Sequence, residues 1–324
     1  MWHKIRSNWL PFILLVLTFL VIAGWFLQRK SYTDLYTKTD SSWHAPSYFI
    51  EPIKDEATRE LVLYGEELIA HTSRYLGPNG SVQQISNGMN CQNCHLDAGK
   101  KTDGNNYAAV AATYPKFRAR SGHLESIYKR VSDCFERSLN GTAPDSNSRE
   151  YRAIEAYIKW VGKNVSKNEH PKGTGIKVPE MLSRAADPVH GKKIYTTKCE
   201  RCHGSNGEGL MNPENNGYSY PPLWGIHSYN TGAGLYRLSS FAGFVQSNMP
   251  FNEVSHNNQL TNEEAWDLAA FVNSQPRPVF TESHDWPDLT KKPFDHPFGP
   301  YADSFSEQQH KYGPYQSILQ AKKY

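Results

Sequence analysis

Two pentapeptides, Cys91-Gln92-Asn93-Cys94-His95 and Cys199-Glu200-Arg201-Cys202-His203, set two thiols and an imidazole at the C-x-x-C-H spacing. That spacing attaches a c-type haem: the thiols add across the vinyl groups and the adjacent imidazole becomes the first axial ligand of iron. The second motif runs on into Gly204-Ser205-Asn206-Gly207-Glu208-Gly209. A zinc site would need a second ligand pair at matching spacing, and none is evident. The expected cofactors are therefore two covalently attached haem c groups. The motifs use four of the five cysteines, which leaves Cys134 without a partner.

A haem iron held by one histidine keeps a sixth position, whose occupant sets potential and reactivity. For the second haem the best donor is Met249 in Asn248-Met249-Pro250, 46 residues after His203. Met89 and Met181 precede this motif, and Met211 is too near His203 to swing across the ring. No methionine lies between His95 and residue 180, so the first haem has two candidates, Cys134 and His123. Cys134, 39 residues past His95, is the soft donor, whereas His123 follows Ser121-Gly122 and reads as a surface residue. The competing reading of Cys134 is an inert core thiol. A thiolate lowers the potential of iron and His/Met ligation raises it, so the two haems form a downhill pair.

Cations crowd Cys134. Arg118, Arg120, Lys129 and Arg130 precede it, and Arg137-Ser138 follow. Arginine forks bind oxyanions, and nearby cations favour thiolate over thiol. Taken singly, each is a solvated surface charge. Together, around a spare sulfur, they suit a small sulfur oxyanion, with nucleophilic sulfur meeting oxidised sulfur.

The elements that must position these groups are helices. Residues 1–30 read as a transmembrane helix: His3, Lys4 and Arg6 precede an apolar run over residues 9–27, which Gln28-Arg29-Lys30 closes. That length spans a bilayer with the basic end in the cytoplasm. The alternative is a signal peptide cleaved after Val21-Ile22-Ala23. Either reading places the remainder in the periplasm. Residues 31–56 form a linker, and residues 57–163 the first haem domain. It opens on a helix over 57–71, with Leu61, Tyr64, Leu68 and Ile69 on one face beside Gly65. It closes on a helix over 149–161, capped by Asn147 or Ser148 and ended by Gly162, with Ile154, Tyr157, Ile158 and Val161 as its stripe. Residues 164–184 are a second linker. Residues 185–275 repeat the plan around Gly191, Ile194 and Tyr195. Their closing helix starts at the capping box Thr261-Asn262-Glu263-Glu264 and buries Ala265, Leu268, Ala269 and Val272. Residues 276–324 form a C-terminal extension with little regular structure that wraps the domains. The fold class is all-α, two class I cytochrome c-like domains in tandem.

With 35 Lys and Arg against 32 Asp and Glu, the net charge of +3 is too weak to imply nucleic acid. The 19 Tyr and 8 Trp suit packing around large flat ligands. The blocks Cys91-x-Asn93-Cys94-His95-Leu96, Tyr114-Pro115, Cys134-Phe135-x-Arg137-Ser138-x-Asn140-Gly141, Asn248-Met249-Pro250 and Gln309-His310-Lys311-Tyr312-Gly313-Pro314-Tyr315 resemble dihaem thiosulfate dehydrogenases over about residues 60–320. The resemblance implies coupling of two thiosulfates to tetrathionate, with electrons passed to a soluble cytochrome c or similar acceptor; members also run the reaction backwards as tetrathionate reductases. It implies His95 and Cys134 on the active-site haem and His203 and Met249 on the exit haem. Arg120, Arg130 and Ser138 match positions lining the substrate pocket, with Arg118 in the second rank. Some members carry a lysine before the methionine that can replace it on iron, where this chain has Asn248. Three other readings stay open: a dihaem electron carrier without a substrate, which leaves Cys134 and its arginines idle; a sulfur-oxidising cytochrome that passes sulfur to a carrier protein; and a membrane-bound subunit of a respiratory complex, which rests only on the anchor.

Overall fold

The computed structural model describes residues 16–20, 22–24, 43–214, 216–251, 253, 259–281 and 284–322. Contacts divide the chain into two units, Met1–His44 and Ala45–Tyr324. In the first, residues 16–20 and 22–24 are helical; the remainder of the anchor expected over 1–30, and the linker as far as residue 42, lie outside the described residues. No helix among the described residues is long and apolar enough to cross a membrane.

The second unit is built mainly of helices. Helix α1, Glu56–Ala70, starts where the Asp55 carboxylate accepts the Thr58 amide at 2.8 Å, the usual satisfaction of an orphan helix donor. It buries Val62, Gly65, Leu68 and Ile69. Val62 thus takes the core position expected for Leu61, while Leu61 and Tyr64 are half-buried at the edge of the face. A short antiparallel pair follows, β1 (Lys116–Arg118) with β2 (His123–Glu125). Helix α2, Ile127–Asp133, runs directly into a π-helical turn over Cys134–Ser138. Helix α3, Arg149–Val161, is capped by Ser148, whose hydroxyl accepts the Tyr151 amide, and ends at Gly162.

Helices α1 and α3 cross at Gly65. A Cβ there would collide with the Ala153 carbonyl and lie 2.7 Å from Tyr157 Cβ, so only glycine permits this approach. The second half repeats the crossing. Helix α4, Pro188–Lys198, is capped by Asp187. A second antiparallel pair, β3 (Leu210–Met211) with β4 (Tyr218–Tyr220), precedes helix α5 (Leu238–Asn248) and helix α6 (Asn262–Ser274). Thr261 and Glu264 close the expected capping box at 3.0 and 3.2 Å. Gly191 lets α4 meet α6, with the Phe271 Cβ 2.9 Å from where a glycine substituent would stand. The core of this half is Ile194, Tyr195, Ala265, Trp266, Leu268, Ala269 and Val272.

Two features depart from the expectation of an all-helical protein with an irregular tail. The hairpins β1–β2 and β3–β4 are too short to show an alternating pattern. The extension also carries helices α7 (Glu307–Tyr312) and α8 (Gln316–Ala321). Buried His310 ties the first of them down, through the Phe294 carbonyl at 2.7 Å and Asp303 at 2.9 Å.

Candidate active site

A cavity of about 140 Å³ in the first half is lined by Cys91, Cys94, His95, Arg130, Cys134 and Ser138. The Cys91–Asn93 turn is fixed from both sides: Asn90 and Asn93 cap one another, and the Cys91 amide donates to Thr72 Oγ1 at 2.9 Å. His95 Nδ1 lies 2.5 Å from the Asn105 carbonyl, which sets the tautomer and leaves Nε2 with a free lone pair. Burial lowers this imidazole to about 4, so it is neutral and suited to bind a metal. The Tyr107 ring rests 4.5 Å from it, centroid to centroid.

Cys134 begins the π-helical turn, and Arg130 stands one helical turn before it. Arg130 Nη1 donates to Cys134 Sγ at 3.1 Å. The sulfur beside it raises the guanidinium pKa, the effect of a negative group close to a cation. His123 is exposed on β2 and is not among the cavity walls.

The remaining cations divide by role. Arg118 is partly exposed on β1 and does not line the cavity. Arg120 also lies outside the cavity walls and is largely buried: Nη1 donates to the Gly232 carbonyl at 3.3 Å, and Nε is 4.0 Å from Asp285 Oδ2. Burial, with Arg137 and Arg130 close by, lowers Arg120 to about 10. Arg137, which reads in the sequence as one more surface charge, is buried instead. It forms a two-pronged pair with Asp285 at 2.7 and 2.9 Å. Asp285 carries no local sign in the sequence, lying far along the chain in a segment without periodicity.

A second cavity of about 300 Å³ is lined by Cys199, Cys202, His203 and Met249. His203 Nδ1 is 2.8 Å from the Pro221 carbonyl, the same orientation device as at His95. Burial lowers this imidazole too. Met249 caps α5, and its amide is held by the Val245 carbonyl at 2.9 Å. Met211 is on β3, exposed and outside the cavity walls. The buried Asn248 amide group is committed to the Asp103 and Phe244 carbonyls, each at 3.0 Å. Met89, Asn90 and Cys94 line both cavities, so the two adjoin.

The donors fit c-type haem. Each cavity presents a cysteine pair, a neutral imidazole oriented from its Nδ1 side and a sulfur donor. Arg277 adds an independent sign. Its Nε and Nη1 are buried without hydrogen-bond partners, while its guanidinium lies 4.3 Å from the ring of Tyr229, which lines the second cavity. Unsatisfied buried guanidinium nitrogens call for an anion such as a carboxylate. No group of three or more His, Cys, Asp or Glu among the described residues is arranged to hold a bare metal ion.

A cytochrome c family matches residues 188–276, and a family described as SoxA/TsdA, cytochrome c domain, matches residues 81–166. A thiosulfate dehydrogenase of Allochromatium vinosum is 35% identical over 235 residues, covering 71% of this chain and 83% of that protein. One from Stutzerimonas stutzeri is 33% identical over 236 residues, covering 72% and 74%. The solved thiosulfate dehydrogenase (TsdBA) from Marichromatium purpuratum superposes with a TM-score of 0.67 at 30% identity. That match covers 74% of this chain and half of the solved one.

Proposed function

The chain belongs to the thiosulfate dehydrogenase family, and we propose that it couples two thiosulfates to tetrathionate at Cys134. The observation that carries this reading is a single unpaired sulfur, hydrogen-bonded by Arg130 at 3.1 Å, in the cavity of the first C-x-x-C-H motif. His95 and Cys134 would hold one haem, and His203 with Met249 the other; bound there, these groups would supply one-electron redox chemistry and so a route for two electrons to a cytochrome c-type acceptor.

The protein's own residues do the sulfur chemistry. Cys134 thiolate and the outer sulfur of thiosulfate form an S–S bond, and two electrons leave. The adduct carries a sulfonate, for which Arg130 and Ser138 supply donors. Arg130 thus changes partner, from the thiolate to the substrate oxyanion, and its charge stays compensated throughout. The terminal sulfur of a second thiosulfate attacks the adduct sulfur bonded to Cys134, breaks that S–S bond, releases tetrathionate and restores the thiolate. Asn248, locked onto two backbone carbonyls, offers no amine to displace Met249. That supports a stable His/Met exit site.

The apolar run over residues 9–27, with basic residues at both ends, supports export to the periplasm with this run as anchor. The decisive experiment for the activity is Cys134→Ala in haem-loaded protein. Thiosulfate oxidation is lost if the sulfur is the nucleophile, and turnover at the wild-type rate overturns the assignment.

A further inference from the structure

We propose that Asp285, in the C-terminal extension, is a positioning residue that sets the charge balance of the sulfur-oxyanion site. The inference rests on the function proposed above and adds to it a residue from outside the haem domain that carries Cys134.

Three buried or largely buried guanidinium groups crowd the Cys134 turn: Arg120, Arg130 and Arg137. Arg120 is pulled down by burial first and then by the other two arginines, so the three sense one another's charge. Arg130 is compensated by the Cys134 sulfur. Asp133 takes Lys129 and lies 3.8 Å from Arg137. Buried Glu125 also acts on Arg130. The carboxylate paired with both Arg137 and Arg120 is Asp285, whose side chain is 10% exposed. It grips Arg137 with both oxygens and lies 4.0 Å from Arg120 Nε, a buried atom with no hydrogen-bond partner.

The segment around Asp285 is held against the arginines. Phe280 packs 4.2 Å from the Arg137 guanidinium, and the Trp286 amide donates to the Arg120 carbonyl at 2.6 Å. A loop of the second half closes the layer. Asn230 binds the Arg137, Glu136 and Asn140 oxygens at 3.0, 2.8 and 2.9 Å. Gly232 is needed there, since a side chain would press within 3.0 Å of both Phe280 and Arg137 Nη1. A buried two-pronged carboxylate fixes both the direction and the net charge of Arg137. While Asp285 holds Arg137, the oxyanion meets Arg130 in the cavity and does not find a stronger, misplaced trap. Asp285 therefore trades anion affinity for correct placement.

The test reads anion binding apart from turnover, by titrating thiosulfate, and sulfate as a non-reacting probe, into oxidised haem-loaded protein and following the haem absorption. Asp285→Asn frees a positive charge, so both anions bind tighter, on the order of threefold to tenfold, while kcat falls. Arg137→Gln does the reverse and weakens binding. The double variant Asp285→Asn/Arg137→Gln returns anion affinity to near wild type, and Asp285→Glu restores kcat. A purely structural role predicts lower thermal stability with anion binding unchanged or weakened in Asp285→Asn, and that result overturns the proposal. If Asp285→Asn does not load haem, Arg137→Gln decides: unchanged anion binding refutes the charge argument. Wild-type turnover of thiosulfate is read separately. Its absence would defeat the function proposed above while leaving the binding series interpretable.

Discussion

Replacing Arg130 by Gln removes the donor that reaches Cys134 Sγ at 3.1 Å and leaves a sulfur in a buried cavity without its cation. Hydrogen bonds to charged groups contribute about 1.5–3 kcal/mol. At 1.36 kcal/mol for each factor of ten, kcat/KM for thiosulfate should fall about 10- to 150-fold. Arg130→Lys keeps a charge but not the planar fork, so its loss should lie at the lower end of that range. The assay is steady-state reduction of a c-type cytochrome by thiosulfate, using protein checked for two haems per chain. The low-spin signal of the first haem is recorded alongside, because weakening the N–H···S bond also leaves more electron density on the sulfur. A kcat/KM within about threefold of wild type for haem-loaded Arg130→Gln would refute the argument that this pair is central to the chemistry.

Gly65→Ala should destabilise the first half by about 2–3 kcal/mol, because the new methyl meets the Ala153 backbone and Tyr157 Cβ across the α1–α3 crossing; thermal unfolding followed by far-ultraviolet circular dichroism checks this. Asp267 is buried, which by itself pushes its carboxyl up, but Arg184 at 2.8 and 2.9 Å, the Asp187 amide at 2.7 Å and His190 at 2.8 Å outweigh burial and hold it below the ordinary range. A carboxyl lowered by folding stabilises above its unfolded pKa, and that contribution is lost as pH falls through the lowered folded value. Asp267→Asn should therefore cost about 2 kcal/mol at neutral pH, with the gap to wild type closing as pH is lowered below about 4; denaturant titrations of both proteins at several pH values test it.

The chemistry of this chain is written locally, and that much is legible in its sequence. Covalent haem attachment demands fixed spacing, so Cys91, Cys94, His95, Cys199, Cys202 and His203 stand out from their neighbours alone. Ser148, Thr261 and Glu264 announce helix starts because capping is a contact over three residues. Gly65 and Gly191 mark the crossings because close backbone approach excludes any side chain. What stays hidden depends on contacts distant in sequence. Asp285 finds Arg137 across 148 residues. Asn230 finds Glu136 across 94. Backbone carbonyls of Asn105 and Pro221 orient the two histidines, and a carbonyl carries no side-chain signature. Val62 is buried on the face that Gly65 presses against Ala153 and Tyr157 of α3, a contact absent from the periodicity, and Leu61 is left at the edge. The tail helices α7 and α8 are six residues each, too short for a repeating stripe.

The central claim is that the chain's unpaired sulfur and the imidazole of His95 share one iron. Electron paramagnetic resonance of the oxidised, haem-loaded protein, with near-infrared magnetic circular dichroism, reads the ligand pair at each centre. The account predicts one His/thiolate and one His/Met centre, the former vanishing in Cys134→Ala and the latter unchanged. Nitrogen or thioether opposite histidine at both centres would contradict it.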